Sequence, residues 1–350
     1  MVETLELEEL EVEPEKFEKL EEKSVDYVIA LVDYESLKAK KGSYNVKLFG
    51  KSILEFVENA CDKKPKTFKL ESEEELLSGV KQMLGDSEYT VVLFSDTPLI
   101  TTATVYTSIK HAIENNIDIL KLDRGYVCKT EVLKNAFSLD SEDEFCCSDV
   151  DFIIVSNYTE LSMVSDIMKY RILEYHTNRG VQILDSASTF IEAGVTIEPG
   201  TVIYPSNTIC GATEIGENVT LFAGNRILNS IIGAESKIEG SSISSSVIGE
   251  DCKIKNSFIG NDALIKEDCK IIDGAVVKES IIENECKIMS ASVKGAYINK
   301  NCKIYEGARI AGKDGNIVLQ NNVSVGENAI IVKPCEIKEC KKIEAGTILR

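Results

Sequence analysis

From Ile191 the chain reads IEAGVTIEPGTVIYPSNTICGATEIGENVTLFAGNRI, ending at Ile227. Ile191, Ile197, Ile203, Ile209, Ile215, Leu221 and Ile227 stand six residues apart without a break. Steps of five and six extend the beat through Ile232, Ile238, Ile243, Ile248, Ile254, Ile259, Ile265 and Ile271. Ile288, Val293, Ile298, Ile304, Ile310, Ile317, Ile331, Ile337 and Ile343 carry it onward. An amphipathic helix needs apolar spacing of about 3.6 and a half-buried strand about 2. Neither fits. A hexapeptide period marks a parallel β-helix, in which three hexads of about 18 residues in all close one triangular coil. One aliphatic per hexad points inward and stacks on its copy one coil away. At roughly 4.8 Å between neighbouring strands, about nine coils make a prism on the order of 40 Å long.

With 350 residues the chain is long enough for a second core. No apolar run approaches the roughly 20 residues a membrane-spanning helix needs. The first residues are acidic and lack an apolar core segment, so no secretory leader is expected. Net charge is −19, which opposes binding to nucleic acid or an anionic membrane. Eleven cysteines without a secretory leader read as reduced thiols in a cytoplasmic protein.

In chain order, residues 1–23 carry ten Glu against three Lys, the composition of a solvated acidic head. The head is taken as 1–24, an α/β domain as 25–156, a linker helix as 157–180 and the coils as 181–350. In the α/β part, Tyr27–Val32, Tyr89–Ser95 and Asp151–Val155 read as buried strands, with helices over Lys51–Cys61, Glu73–Leu84 and Thr102–Asn115. Alternating βα units predict a parallel sheet, with ligands beyond the carboxyl ends of its strands. Asp96 lies at such an end. Asn157 is expected to cap the linker helix, with Glu160 completing a capping box and Gly180 ending it.

The strand ending in SDTPLIT, the segment LFGKSILEFVENA around Lys51, the long helix and NRGVQILDSASTFIEAGVTIEPGTVIYPSN from Asn178 resemble one family. It is the bacterial bifunctional N-acetylglucosamine-1-phosphate uridyltransferase / glucosamine-1-phosphate acetyltransferase. The likeness covers most of 27–348, with a shortened sheet domain and no helical tail. It implies a reduced, nucleotidyltransferase-like (Rossmann-like) parallel-sheet domain followed by a left-handed parallel β-helix, assembled as a homotrimer. It also implies uridylyl transfer from UTP to N-acetylglucosamine 1-phosphate with Mg²⁺ in the sheet domain, and acetyl transfer from acetyl-CoA in the coils. Two positions match the family's metal ligands: Asp96 and, in VSN, Asn157. A nucleotide-sugar or sugar phosphate is the implied small-molecule partner.

The remaining uridylyl signature is altered. Phosphoryl transfer needs a loop whose backbone N–H groups approach the phosphates, and a cation to balance their charge. The family's loop is L-A-A-G-x-G-T-R-M, followed by P-K. Aligned from Gly50–Lys51, this chain has Val32 and Tyr34 at the glycines, Ser36 at the arginine and Ser43 at the lysine. Asp33 and Glu35 add negative charge, with Lys38, Lys40 and Lys41 nearby. The uracil-reading stretch appears as LLSGV, Leu76–Val80, and the sugar-contacting segment reads as deleted between Leu99 and Asp123. A surviving transferase using Asp96, Asn157 and these lysines is the alternative.

A hexapeptide-repeat acyltransferase is a second alternative, but acetyl transfer needs a general base, usually His. His111 and His176 are the chain's two histidines, and both precede the coils. Arg226 and Arg309 are isolated, and Lys313–Asp314–Gly315 interrupts the beat as a surface loop. Cys252, Cys269, Cys286 and Cys302 each precede Lys-Ile at about one-coil spacing, so their sulfurs are expected to stack on one inner edge. They read either as small apolar fillers or as a soft-metal or redox ladder.

Overall fold

A computed structural model describes residues 24–350 apart from 147, 314 and 315. The acidic head before residue 24, and most of the Lys313–Asp314–Gly315 interruption, lie outside the described residues. The chain divides into two compact units, Met1–Asp166 and Ile167–Arg350.

In the second unit the hexads wind a parallel β-solenoid of about nine coils. Its three faces are sheets of nine, ten and ten short strands, each strand bonded to the one a full coil away. Ile197 lies beside Ile215, Ile203 beside Leu221 and Ile209 beside Ile227. The aliphatics of the beat, from Ile191 to Ile343, are at most 5% exposed. Val277, Ile282, Leu319 and Val325, outside that simple count, complete the inner columns. Burying each such side chain is worth about 1.5–3 kcal/mol relative to leaving it in water.

The outward residues differ by face. On the first, Ile231, Val247, Leu264, Ile281, Tyr297 and Val318 stand in register on six consecutive strands. Glu214 precedes this apolar ladder and Glu336 follows it. On the second, Lys237, Lys253, Lys270, Lys287 and Lys303 stack in the same way. The corners between faces are tight. A Cβ on Gly233 would sit 2.5 Å from the backbone carbon of Gly249 in the next coil.

The first unit is built on a five-stranded sheet. β1 (Val25–Leu31), β2 (Lys66–Lys69), β3 (Tyr89–Phe94), β4 (Ile119–Leu122) and β5 (Gly125–Lys129) lie in the order β2-β1-β3-β5-β4. β1 is parallel to both β2 and β3, whereas β5 runs antiparallel to β3 and to β4. The sheet is therefore mixed, with an antiparallel hairpin where alternating βα units predicted a further parallel strand. Asp151–Val155, expected to be that strand, joins no ladder and runs through a turn into extended chain. It still ties into the sheet's end, because the Val155 N–H donates to the Asp96 carbonyl at 2.8 Å. The unit also holds helices α1 (Ile53–Asn59), α2 (Leu76–Met83), α3 (Thr102–Glu114) and α4 (Thr130–Asn135), single 3-10 turns at Ser43–Asn45 and Glu73–Glu75, and a short antiparallel pair of Lys47–Leu48 with Lys51–Ser52.

Helix α5 (Tyr158–Asn178) contains the division between the units. Asn157 caps it: its Oδ1 accepts from the N–H groups of Thr159 and Glu160 at 2.9 and 3.1 Å. The return bond of the expected capping box moves back one residue, with the Ser156 N–H donating to Glu160 Oε2 at 2.6 Å. Gly180 follows the helix with φ +87°, the left-handed geometry that glycine adopts freely. No helix among the described residues is long and apolar enough to cross a membrane.

Candidate functional site

The loop after β1 is the place to look for phosphate binding, because a nucleotide needs free backbone N–H groups there. Here those groups serve the protein itself. The Val32 N–H donates to Ser95 Oγ at 2.9 Å and the Tyr34 N–H to Ser43 Oγ at 2.9 Å. The Ser43 N–H donates to Asp33 Oδ1 at 2.8 Å, and the Leu37 N–H to the Tyr34 carbonyl at 3.0 Å. Ser43, at the family's lysine position, thus knots the two ends of the loop.

Asp96 follows β3 and is 3% exposed. A buried carboxylate needs partners, and it has them. Its Oδ2 accepts from the Tyr34 hydroxyl at 2.8 Å and from Arg124 Nη2 at 2.8 Å, and its Oδ1 from Arg124 Nε at 3.4 Å. Burial, then the charge of Asp96, pushes the Tyr34 hydroxyl pKa well above the usual tyrosine value, so the phenol remains protonated. Ser36, at the family's arginine position, donates its hydroxyl to the Ser156 carbonyl. The structure therefore brings the loop, Asp96 and the segment leading to Asn157 to one pole. The oxygens singled out as metal ligands are already engaged there, Asp96 by Arg124 and Tyr34, and Asn157 by the start of α5.

Sequence reasoning passed over Arg124. It sits with Asp123 in the two-residue turn between β4 and β5, just past the stretch read as a deletion. Gly125 lets the turn close: its φ is +153°, and a Cβ there would lie 2.7 Å from the Val92 carbonyl oxygen. The guanidinium stacks on Phe94, 4.0 Å from the ring centre, and reaches Glu73 at 3.9 Å. A cavity of about 340 Å³ opens beside it, with Glu73, Glu74 and Asp140 in its lining. Arg124 itself also lines it, so three acids outnumber the one cation there, which disfavours a triphosphate.

A second feature absent from the sequence reading is Cys146, whose thiol donates to Asp123 Oδ2 at 2.8 Å and to Asp149 Oδ1 at 3.0 Å. These bonds push the thiol pKa up to about 12.

The model of the family described as GlmU-like, C-terminal hexapeptide, matches residues 222–295. Bifunctional protein GlmU of Clostridioides difficile is 28% identical over 206 residues, 56% of this chain and 44% of that protein. The Clostridium botulinum GlmU is 25% identical over 275 residues, 69% of this chain and 59% of that one. Over these stretches the chain is similar to GlmU. It matches about half the length of these curated relatives. Among solved structures, an Arabidopsis UDP-N-acetylglucosamine acyltransferase superposes with a TM-score of 0.28 at 18% identity, over 45% of this chain and 65% of that one. So loose a superposition decides nothing about function.

The coils of this GlmU-like chain contain no histidine. His111 stacks on Phe145 with ring centres 4.2 Å apart. His176 lies in the last turn of α5, 2% exposed, and its Nδ1 has no hydrogen-bond partner among the described residues. The four ladder cysteines are buried in one column, and each thiol donates to a carbonyl of the adjoining coil. Cys252 reaches Lys266, Cys269 reaches Glu283, Cys286 reaches Asn299 and Cys302 reaches Gln320, at 3.0–3.1 Å.

Proposed function

We propose that this protein is a non-catalytic relative of the sugar-1-phosphate nucleotidyltransferases, a cytoplasmic structural homotrimer organised by its solenoid. One observation carries the reading. The Val32, Tyr34 and Ser43 amides of the loop after β1, where a triphosphate would be received, are bonded to Ser95, Ser43 and Asp33 respectively. UTP would have to break these bonds and enter a pole whose added charges are acidic. The missing coil histidine argues in the same way against acetyl transfer. The eleven cysteines support a reducing compartment.

The test is pyrophosphate release from UTP, N-acetylglucosamine 1-phosphate and Mg²⁺. The expected rate equals that of the protein-free control. Turnover that disappears in Asp96→Ala would overturn the reading. A thermal-shift series separates binding from structure: UTP is expected to leave Tm unchanged, whereas a shift with a UDP-sugar would assign the pole a nucleotide-sugar ligand. The apolar ladder from Ile231 to Val318 supports self-association through that face. Light scattering is expected to give three times the chain mass, falling to one in Val247→Lys/Ile281→Lys.

A further inference from the structure

We propose that Arg124 is a resident cation: its guanidinium holds the position at Asp96 that a divalent metal ion would take, and the first unit works without metal. This deepens the non-catalytic reading and rests on the same pole, but on different atoms.

The donor set does not fit Mg²⁺. Such an ion demands near-octahedral oxygen ligands at about 2.0–2.1 Å and keeps several waters, so it needs a carboxylate oxygen that faces open space. The Asp96 side chain is 2% exposed. Its Oδ2 accepts from both Arg124 Nη2 and the Tyr34 hydroxyl, and its Oδ1 faces Arg124 Nε. The second expected ligand is also committed, since Asn157 Oδ1 takes two N–H groups at the start of α5. A metal ion would have to displace a paired guanidinium, uncap a helix and sit beside a positive charge in a site that screens charge poorly.

Arg124 is held in this role from several sides. Stacking on Phe94 fixes the plane of its guanidinium, Gly125 fixes the turn that projects it, and its side chain is only 18% exposed. A planar fork bonded to both oxygens of a carboxylate is the geometry for which Arg, unlike Lys, is suited. The result joins three segments distant in sequence: the loop after β1 through Tyr34, the end of β3 through Asp96, and the β4–β5 turn through Arg124. In a chain of net charge −19, stray divalent ions will collect on surface acids. Asp96 is nonetheless predicted to take no part.

The test titrates Mn²⁺ into the full-length protein and counts bound ion by electron paramagnetic resonance. Wild type and Asp96→Asn are expected to give superimposable isotherms. Arg124→Met, which removes the charge and keeps the stem, is expected to gain a site at least tenfold tighter than any in wild type, and Arg124→Met/Asp96→Asn to lose it. An Asp96-dependent Mn²⁺ site in wild type overturns the proposal. So does an Arg124→Met protein with a native circular dichroism spectrum and no gain. If that variant fails to fold, the comparison of wild type with Asp96→Asn still decides. Metal binding is measured without nucleotide, so a positive pyrophosphate assay would sink the non-catalytic reading while leaving this result to stand or fall alone.

Discussion

Cys252, Cys269, Cys286 and Cys302 continue a column that runs through Thr201, Val219 and Ser236 in the preceding coils, where Val219 is the one member without a donor. Thr201 donates its hydroxyl to the Gly216 carbonyl at 2.9 Å and Ser236 to that of Gly249 at 3.0 Å, each one coil on. The thiols make the same bond in later coils, so they act as corner donors and not simply as apolar filling. Leaving a buried carbonyl unpaired costs about 1–3 kcal/mol. Cys269→Val is therefore expected to lower unfolding stability by about that much, and Cys269→Ser, which keeps a donor, by less than about 1 kcal/mol. Chemical denaturation of both variants checks the order. His176 makes a second residue-scale prediction. Burial, and then the nearby Arg179 charge, lower its pKa, so the folded protein holds it neutral. The unfolded chain protonates near 6.5. Protonation on acidification then favours the unfolded state: the contribution to stability is full above pH 6.5 and is lost as pH falls through the lower folded value. His176→Met should flatten the pH dependence of the denaturation midpoint between pH 7 and 5.

Among the elements, the solenoid strands were legible and the β4–β5 hairpin was not, for a physical reason. Each solenoid strand is decided by one inward aliphatic at a fixed interval, a signal that repeats and so reinforces itself. The hairpin rests on ILKL and GYVCK joined by Asp123–Arg124, two short runs and an atypical turn at the edge of a region compared with a longer relative. The pairing of Arg124 with Asp96 spans that reversal, and no local spacing announces it. The closed loop was half legible. Bulk and acid at Val32, Asp33 and Tyr34 suggested a filled pocket, whereas the bonds through Ser43 and Ser95 required the fold. Asn157 could be read as either a cap or a ligand, and the structure shows it capping. Asn157→Ala is expected to cost about 1 kcal/mol, and Asn157→Asp, which retains an acceptor, much less. Faster amide exchange confined to the first turn of α5 would accompany the Ala variant.

At the scale of the molecule, one face carries apolar side chains and another lysines, and both patterns depend on every coil returning to the same phase. Length is therefore a quantised property of the second unit. Cys252 and Cys269 occupy equivalent places, and excising residues 253–269 would join Cys252 directly to Lys270, restoring Cys-Lys-Ile. That protein should fold with a single coil removed and every later residue still facing its former direction. Cutting out only six residues upstream, one hexad, would instead rotate the remaining strands by a third of a revolution, turning Val276 toward the side now held by lysine and Ile281 away from the apolar ladder onto the third face. Tolerance to insertion and deletion should rise and fall with this screw-like pitch, readable as recovery of soluble protein across a series of cuts differing by single residues.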